Sequence, residues 1–525
     1  MGIKLDLFIK TKQGRILLAV IAGLLLYSSI WLNDILRFIW ICISLVPFFF
    51  SLQGQNKRSS FLLGLLFGFS NGLLMALPVI GMATAYFDSS LWIGYLMYIS
   101  LALVFGIWPA LFSMLYAALK ISEKPITVFR FLLVGAMWIS FDFINYSLLP
   151  TFPWTNNFLG YYIATFPTLI QFAQFAGVFG ITFILVLINY SLYLILSKRN
   201  IKLLIIPAAI LLFQFGVGAL LMQKEYDENN KLKVSIVLDN LPTDLRWDEN
   251  ISDSTIEKHF LSPNREAVES MPNLIIWTET AFPWKLSLED DLLHEILKIT
   301  YPSRAGHIVG IWTEVPGSET AKYNSALYIN HDGRITEKYD KTFPLAILES
   351  PLQKKKNGKD GDKSIFNSSF TETAVGTRKN VLKTPYGRAG MIICNETSLP
   401  FHARNAVKNG AQFLTVMSND AWASDYKTIL QARFLGTIFR AVETHRDAIV
   451  ASNMGYSGFI NANGTVQTMI ISDVPESVSA SISKGSIKTF YVEHGDLFSY
   501  LCMLLVVVGG VSSLFKARKK NRPTI

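Results

Sequence analysis

The stretch GRAGMIICNETSLPF, residues 387–401, carries an apolar run into a cysteine, Cys394, followed at once by Asn395 and Glu396. A short run of this kind, bounded by turn-forming and polar residues, reads as a strand buried on both faces. Comparable runs recur upstream and downstream: KVSIVLDN (233–240), NLIIWTE (273–279), HIVGIWTE (307–314), NSALYIN (324–330) and QFLTVMSND (412–420). Helical patterns fall between several of them, at 286–300 and 427–446, and HDGR at 331–334 has the composition of a hairpin turn. Strands alternating with helices predict an α/β or α+β domain whose central strands are covered on both sides. Several of the runs end in an acid or a cysteine at the carboxyl end, where open α/β sheets carry their chemistry.

Outside this region the composition changes. The chain has 525 residues, of which 51% are hydrophobic, and that is too apolar for a purely soluble protein of this length. Stretches of about 20 apolar residues, enough to cross a bilayer, fall near 16–32, 36–52, 60–80, 91–119, 129–149, 169–196, 202–222 and 496–515. The chain therefore divides into 1–222 with seven spans, 223–495 as a mixed polar domain, and 496–525 with an eighth span and a basic tail. The first span, led by Lys4, Lys10, Lys12 and Arg15, reads as an anchor rather than a cleaved signal peptide.

The net charge of +9 does not point to nucleic acid, because the basic residues cluster beside the spans. Lys57–Arg58, then Lys120, Lys124 and Arg130, then Lys198, Arg199 and Lys202, mark alternate loops. The loops between are nearly free of Lys and Arg: 81–90 holds only Asp88 as a charge, and 150–168 holds none. This alternation predicts a cytoplasmic amino terminus and a polar domain outside the cytoplasm, on the periplasmic face of a bacterial inner membrane. Three separated cysteines, Cys42, Cys394 and Cys502, offer neither a disulfide framework nor a zinc site. One cysteine alone in an oxidising compartment stays a free thiol.

Within the polar domain the candidate chemistry rests on Glu279, Lys341 and Cys394. Singly each has an ordinary structural reading: a helix cap, a solvated loop lysine, a small core residue. Together they form a working set, in which a carboxylate takes the thiol proton, the thiolate attacks, and the lysine steadies an oxyanion. The set requires no metal or organic cofactor.

Glu in WTETAFP (277–283), Lys in YDKTFP (339–344) and Cys in IICNE (392–396), in that order, resemble the Glu-Lys-Cys triad of the nitrilase superfamily. The flanking spans narrow the likeness to the apolipoprotein N-acyltransferase family, and FPW (152–154), SNDAW (418–422) and QAR (431–433) resemble further hallmarks. The resemblance implies an α-helical membrane bundle of eight spans plus an α/β nitrilase-like αββα sandwich outside the cytoplasm. It also implies a ping-pong reaction in which Cys394 takes an acyl chain from a membrane phospholipid. The α-amino group of a diacylglyceryl-modified apolipoprotein then receives the chain. Glu349 matches a second glutamate beside the lysine, and Glu396 a support for the acyl pocket. Trp247, Asn395 and Trp422 match substrate-binding positions near the entrance, and Asp142 an acid inside the fifth span.

The sequence departs from the family pattern at four places. FPLAILE (343–349) replaces a PFGE-type run before the second glutamate, Asn395 stands where an aromatic residue is usual, and Asn145 stands where a basic residue is expected. A lysine-rich insert, KKKNGKDGDK, occupies 354–363. Two other readings remain at this point: a membrane-tethered carbon-nitrogen hydrolase (an amidase) that gives the acyl group to water, and a non-catalytic lipid-binding paralogue. GFSNG (68–72) fits a serine-hydrolase pattern but lies inside a span, where small residues serve helix packing.

Overall fold

A computed structural model describes residues 10–87, 91–152, 155–222, 230–242, 245, 251–282, 290–318, 321–346, 349 and 373–520. Among the described residues the polar domain has twelve strands in two six-stranded sheets. β1 (Lys231–Leu238), β2 (Leu274–Ile276), β3 (Gly306–Glu314), β4 (Lys322–Ile329) and β5 (Ile335–Asp340) make most of the first sheet. β6 (Val381–Thr384), β7 (Gly387–Ile393), β8 (Phe413–Asn419), β9 (Ala448–Asn453), β10 (Tyr456–Ile460) and β11 (Val466–Ile471) make the second. β12 (Glu476–Ser483) returns to the first, giving the orders β12-β1-β2-β3-β4-β5 and β11-β10-β9-β8-β7-β6. In each sheet three central strands run parallel, β1-β2-β3 in one and β7-β8-β9 in the other, with antiparallel strands at the edges.

The six runs read as strands all fall in strands, and HDGR closes the β4–β5 hairpin through bonds between Asn330, Gly333 and Arg334. The sheets face one another across Val234, Ile236, Leu274, Ile276 and Ile308 on one side and Met391, Ile393, Met417 and Ala451 on the other. The outer face of the first sheet is covered by the helices Ser262–Glu269 and Asp291–Thr300, through Ala267, Leu292, Leu293 and Ile296. The helices Pro400–Lys408 and Lys427–Thr444 cover the second, so the sandwich is αββα.

Among the described residues seven helical segments are long and apolar enough to cross a membrane: Lys12–Trp31, Asp34–Leu52, Leu91–Ala118, Val128–Leu148, Ala173–Lys198, Ile201–Met222 and Leu497–Phe515. The expected span at 60–80 is instead the helix Lys57–Met75, followed by a separate helix Pro78–Phe87. Its length suffices, at roughly 28 Å, but its composition is given to close packing. A Cβ on Gly64, Gly68 or Gly72 would meet backbone atoms of Pro109, Phe105 or Ala102 at 2.4, 2.4 and 2.8 Å. Small residues repeated at four-residue spacing allow two helices to touch along their backbones, and this accounts for GFSNG.

The two halves share one core. Phe434, Ile438, Phe439 and Val442 of Lys427–Thr444 pack in the same cluster as Phe158, Tyr161, Ile170 and Phe179 of the membrane half. The helix Ala173–Lys198 is broken at Gly177, where φ is +62°. The freed Val178 N–H donates to Glu443 Oε1 at 2.8 Å, and the Tyr491 ring fills the space a Cβ would need. Arg440, wholly buried beside Glu443, donates to it at 2.8 Å and to the Thr397 carbonyl and the Tyr161 hydroxyl.

Candidate active site

Glu279, Lys341 and Cys394 converge at the carboxyl ends of β2, β5 and β7. Each is held by its local backbone. β2 stops after Ile276, yet Trp277 N–H and Ala281 N–H still donate to β3 carbonyls, and Thr280 turns the chain with φ +47°. The turn lies flat on β3 because residue 310 is glycine, where a Cβ would come within 2.3 Å of the Thr278 carbonyl oxygen. Lys341 leaves β5 with its N–H on the Asn324 carbonyl. Cys394 opens a short 3-10 turn, 394–398, with φ +52°, a region costly for a residue with a Cβ and common at reacting side chains.

Glu279 Oε1 lies 3.7 Å from Lys341 Nζ and accepts from Asn324 Nδ2 at 2.7 Å, while its Oε2 accepts from the Asn419 N–H at 2.8 Å. Glu349 is closer still to the lysine, at 2.6 Å, and also accepts from Asn324 Nδ2 and the Leu345 N–H. Lys341 is 1% exposed and Glu279 5%, so these charges face one another with little screening by water. Burial alone would discharge Lys341, but Glu349, Glu279 and Cys394 outweigh it and hold the ammonium above its ordinary range. Glu279 moves the other way: burial, reinforced by Glu349, raises it against the pull of Lys341. Cys394 is pushed up to about 12, by burial first and then by Glu279, with Arg433 and Lys341 opposing. Burial thus favours the protonated thiol, with Glu279 on one side of the balance and Arg433 and Lys341 on the other.

Asn324 is the site residue that sequence reading passes over. It sits on β4, and one amide bridges both carboxylates; the available signal is a lone asparagine opening the otherwise apolar NSALYIN. Arg433, the last residue of the QAR triplet, takes a role that the triplet alone does not specify. Its guanidinium binds Asp420 Oδ1 and Ser418 Oγ at the end of β8.

Glu396 is fully buried and lies away from the acyl pocket expected of it. Its Oε1 accepts from Tyr339 OH at 2.7 Å and from the Thr342 and Phe343 N–H groups at 2.8 and 3.2 Å. Its Oε2 accepts from the Ile393 N–H at 2.9 Å and faces His402 Nε2 at 3.3 Å. It thus ties the turn bearing Cys394 to the segment following Lys341. Burial opposes its charge, but His402, the Ile393 N–H and Lys341 hold it down at about 2. A depressed carboxylate stabilises the fold fully above the unfolded range near ~4.3 and loses that contribution as pH falls through about 2. Glu396→Gln turns an amide NH₂ toward N–H donors and is expected to cost about 3 kcal/mol. Chemical denaturation at pH 7 measures it, and a loss below about 1 kcal/mol would refute the clamp.

A cavity opens over the cysteine. Cys394, Asn395, Trp422 and Arg433 form the sheet-domain wall, and Met75, Leu101, Phe105, Asn157 and Tyr161 the membrane-helix wall. Asn395 donates from Nδ2 to the Phe343 carbonyl at 2.8 Å, so where an aromatic ring was expected there is a short tether to the lysine loop. Trp422 packs in a cluster with Ala76, Val79, Met82, Leu101 and Phe105. Asn145 holds Thr155 and Asn156 through paired amide contacts, which fixes the wall segment beside the fifth span. Trp247, Pro153, Trp154 and the 354–363 insert lie outside the described residues.

Two family profiles match the chain in succession: the apolipoprotein N-acyltransferase N-terminal domain over residues 22–191, and carbon-nitrogen hydrolase over 266–489. The chain belongs to the apolipoprotein N-acyltransferase family. Apolipoprotein N-acyltransferases resemble it end to end. That of Geobacter metallireducens is 24% identical, with 93% of each chain covered. Apolipoprotein N-acyltransferase 1 of Treponema denticola is 24% identical, covering 89% of this chain and 90% of its own. That of Thermotoga maritima is 23% identical over 98% of this chain and 94% of its own. Among solved structures, Saccharomyces cerevisiae Nit3, a member of branch 10 of the nitrilase superfamily, is 16% identical, with 48% of this chain and 90% of that one covered at TM-score 0.36. As a member of the apolipoprotein N-acyltransferase family, the protein is a multi-pass membrane acyltransferase with a nitrilase-like domain.

Proposed function

We propose that the protein moves an acyl chain from a membrane phospholipid to the α-amino group of a diacylglyceryl-modified lipoprotein, through a thioester on Cys394. The carrying observation is the cavity, whose walls come from the membrane helices on one side and from Cys394 and its neighbours on the other. A lipid can reach the thiol there without its chains entering water, which would cost roughly 0.8 kcal/mol per CH₂.

In the first half-reaction Glu279 takes the thiol proton as Sγ attacks the ester carbonyl carbon. The Lys341 ammonium faces the developing oxyanion. The ester C–O bond then breaks, and the lysophospholipid alkoxide leaves with the proton from Glu279. In the second half the free amine attacks the thioester and Glu279 accepts the amine proton. The C–S bond breaks, and that proton returns to sulfur. Glu349 holds Lys341 charged throughout, with Asn324 aligning both carboxylates. The alternation of basic loops supports a cytoplasmic amino terminus and a site on the periplasmic side of the inner membrane.

Mass spectrometry of the purified full chain after incubation with phospholipid is expected to find one acyl group on Cys394. Adding a synthetic diacylglyceryl-cysteine peptide should discharge it into an N-acyl peptide. Release of free fatty acid alone, with no amide, would instead make the protein a hydrolase.

A further inference from the structure

The cavity contains a cation that the acyl-transfer steps above leave unused. Arg433 lies on the helix Lys427–Thr444 and lines the same space as Cys394. Its Nη1 is committed to Asp420 Oδ1 and Ser418 Oγ. Asp420 is itself anchored, since its Oδ2 accepts from Ser452 Oγ at 2.7 Å and its Oδ1 from Ser418 Oγ at 2.9 Å. The planar guanidinium is thus fixed by one edge. Its Nε and Nη2 have no protein hydrogen-bond partner among the described residues, and neither is a sealed, unsatisfied atom.

The rest of the lining is apolar or neutral. Among the described residues that line the cavity, Arg433 is the one with a positive charge. Lys341 is sealed behind Cys394 and held by two carboxylates, so it has no edge to offer a headgroup. A guanidinium held along one edge with the other turned to an open space is suited to a tetrahedral oxyanion, because its paired N–H groups match phosphate geometry. The two substrates of the proposed reaction differ in this respect. Donor and acceptor both carry glyceryl ester chains, but only the donor carries a phosphate, a few bonds from the ester that Cys394 attacks.

We infer that Arg433 is a specificity-determining residue that binds the phosphate of the acyl donor through its free guanidinium edge and so distinguishes phospholipid from other glyceryl esters. This rests on the phospholipid-donor reading of the same site. The contact belongs to the first half-reaction alone. The phosphate leaves with the lysophospholipid, and the vacated edge has no counterpart on the incoming amine.

The test compares two donors with identical acyl chains, phosphatidylglycerol and diacylglycerol, presented to the full-length protein in dodecyl maltoside micelles. Thioester formation on Cys394 is followed by mass spectrometry, and the readout is the ratio of kcat/KM for the two donors. Any fraction of misfolded protein cancels from that ratio, as does any disturbance of Glu279 passed through Asn419. The wild-type chain should prefer phosphatidylglycerol. Arg433→Gln is expected to reduce the preference roughly 10- to 100-fold, the range for a charge-assisted bond. Arg433→Lys, which keeps the charge but not the fork, should fall between. An unchanged ratio in Arg433→Gln, with both donors slowed alike, would overturn the phosphate contact and leave Arg433 a positioning residue for the strand end beneath Glu279. A wild-type chain with no preference between donors would also overturn it. Absence of a thioester from either donor in the wild-type chain is a different result. It refutes the acyl-enzyme reading itself, and the phosphate contact with it.

Discussion

Cys394→Ala is expected to abolish acyl transfer, by about ten-thousand-fold or more, while the protein remains folded and membrane-inserted. Loss of the nucleophile removes the covalent route altogether, and deletions of that kind rank among the largest effects in enzymes. The structural cost is small. The side chain loses one sulfur, and alanine meets the same positive φ as cysteine, so the stability change should stay near ~1 kcal/mol. The paired measurements are turnover of phospholipid into N-acyl peptide and the denaturation midpoint. Retained transfer at more than a hundredth of wild type would sink the assignment of Cys394 as acyl carrier.

Glu279→Gln should come next, at about a thousand-fold on kcat/KM for thioester formation. Burial pushes the thiol up to about 12, which leaves little thiolate near neutral pH, so attack depends on a base that takes the proton as the C–S bond forms. Glutamine keeps the shape and one acceptor for Asn324 or the Asn419 N–H, but accepts no proton. The pH profile gives the sign. Burial raises Glu279, and the base works only when deprotonated. Wild-type activity should therefore fall on the acid side at a pH above the ordinary carboxylate range near ~4.3, and Glu279→Gln should lose that limb. A variant with the wild-type acid limb, or slowed less than tenfold, would transfer the base role elsewhere, with Glu349 next to be tested.

Much of the αββα frame is legible because buried parallel strands leave a strong trace. KVSIVLDN, HIVGIWTE and QFLTVMSND are continuous apolar runs, and a strand covered on both faces has to be one. The edge strands leave little. β6, β11 and β12 are half-exposed and carry polar residues among their apolar ones, and ESVSASIS in isolation has no more strand character than a loop. NLIIWTE overstates its strand because Trp277 still bonds to β3 while the chain is already turning toward Glu279. The span at 60–80 shows the converse, since Lys57–Met75 is helical but its glycines are there for a neighbouring helix rather than for lipid.

The site divides in a similar way. Glu279, Lys341 and Cys394 are visible because each ends a strand or its short extension. Glu396 is visible as a charge beside the nucleophile, although its bonds face inward and not to the pocket. Asn324 is hidden, and Arg433 is visible in QAR without its role, because both roles come from pairings across 45 and 13 residues of sequence, with Glu279 and Asp420, and only the fold brings those partners together.

Glu443 capping the break at Val178, with Tyr491 packed on Gly177, has a consequence for how the molecule comes apart. The sandwich has no separate hydrophobic closure on that side, because the helix covering its second sheet is also the surface on which the membrane helices rest. Heating or chaotrope should therefore give one cooperative transition rather than a soluble-domain melt followed by a bundle melt. The polar region expressed without its spans would expose a broad apolar face and aggregate. Detergents that loosen the bundle should inactivate the enzyme and unfold the sheets together.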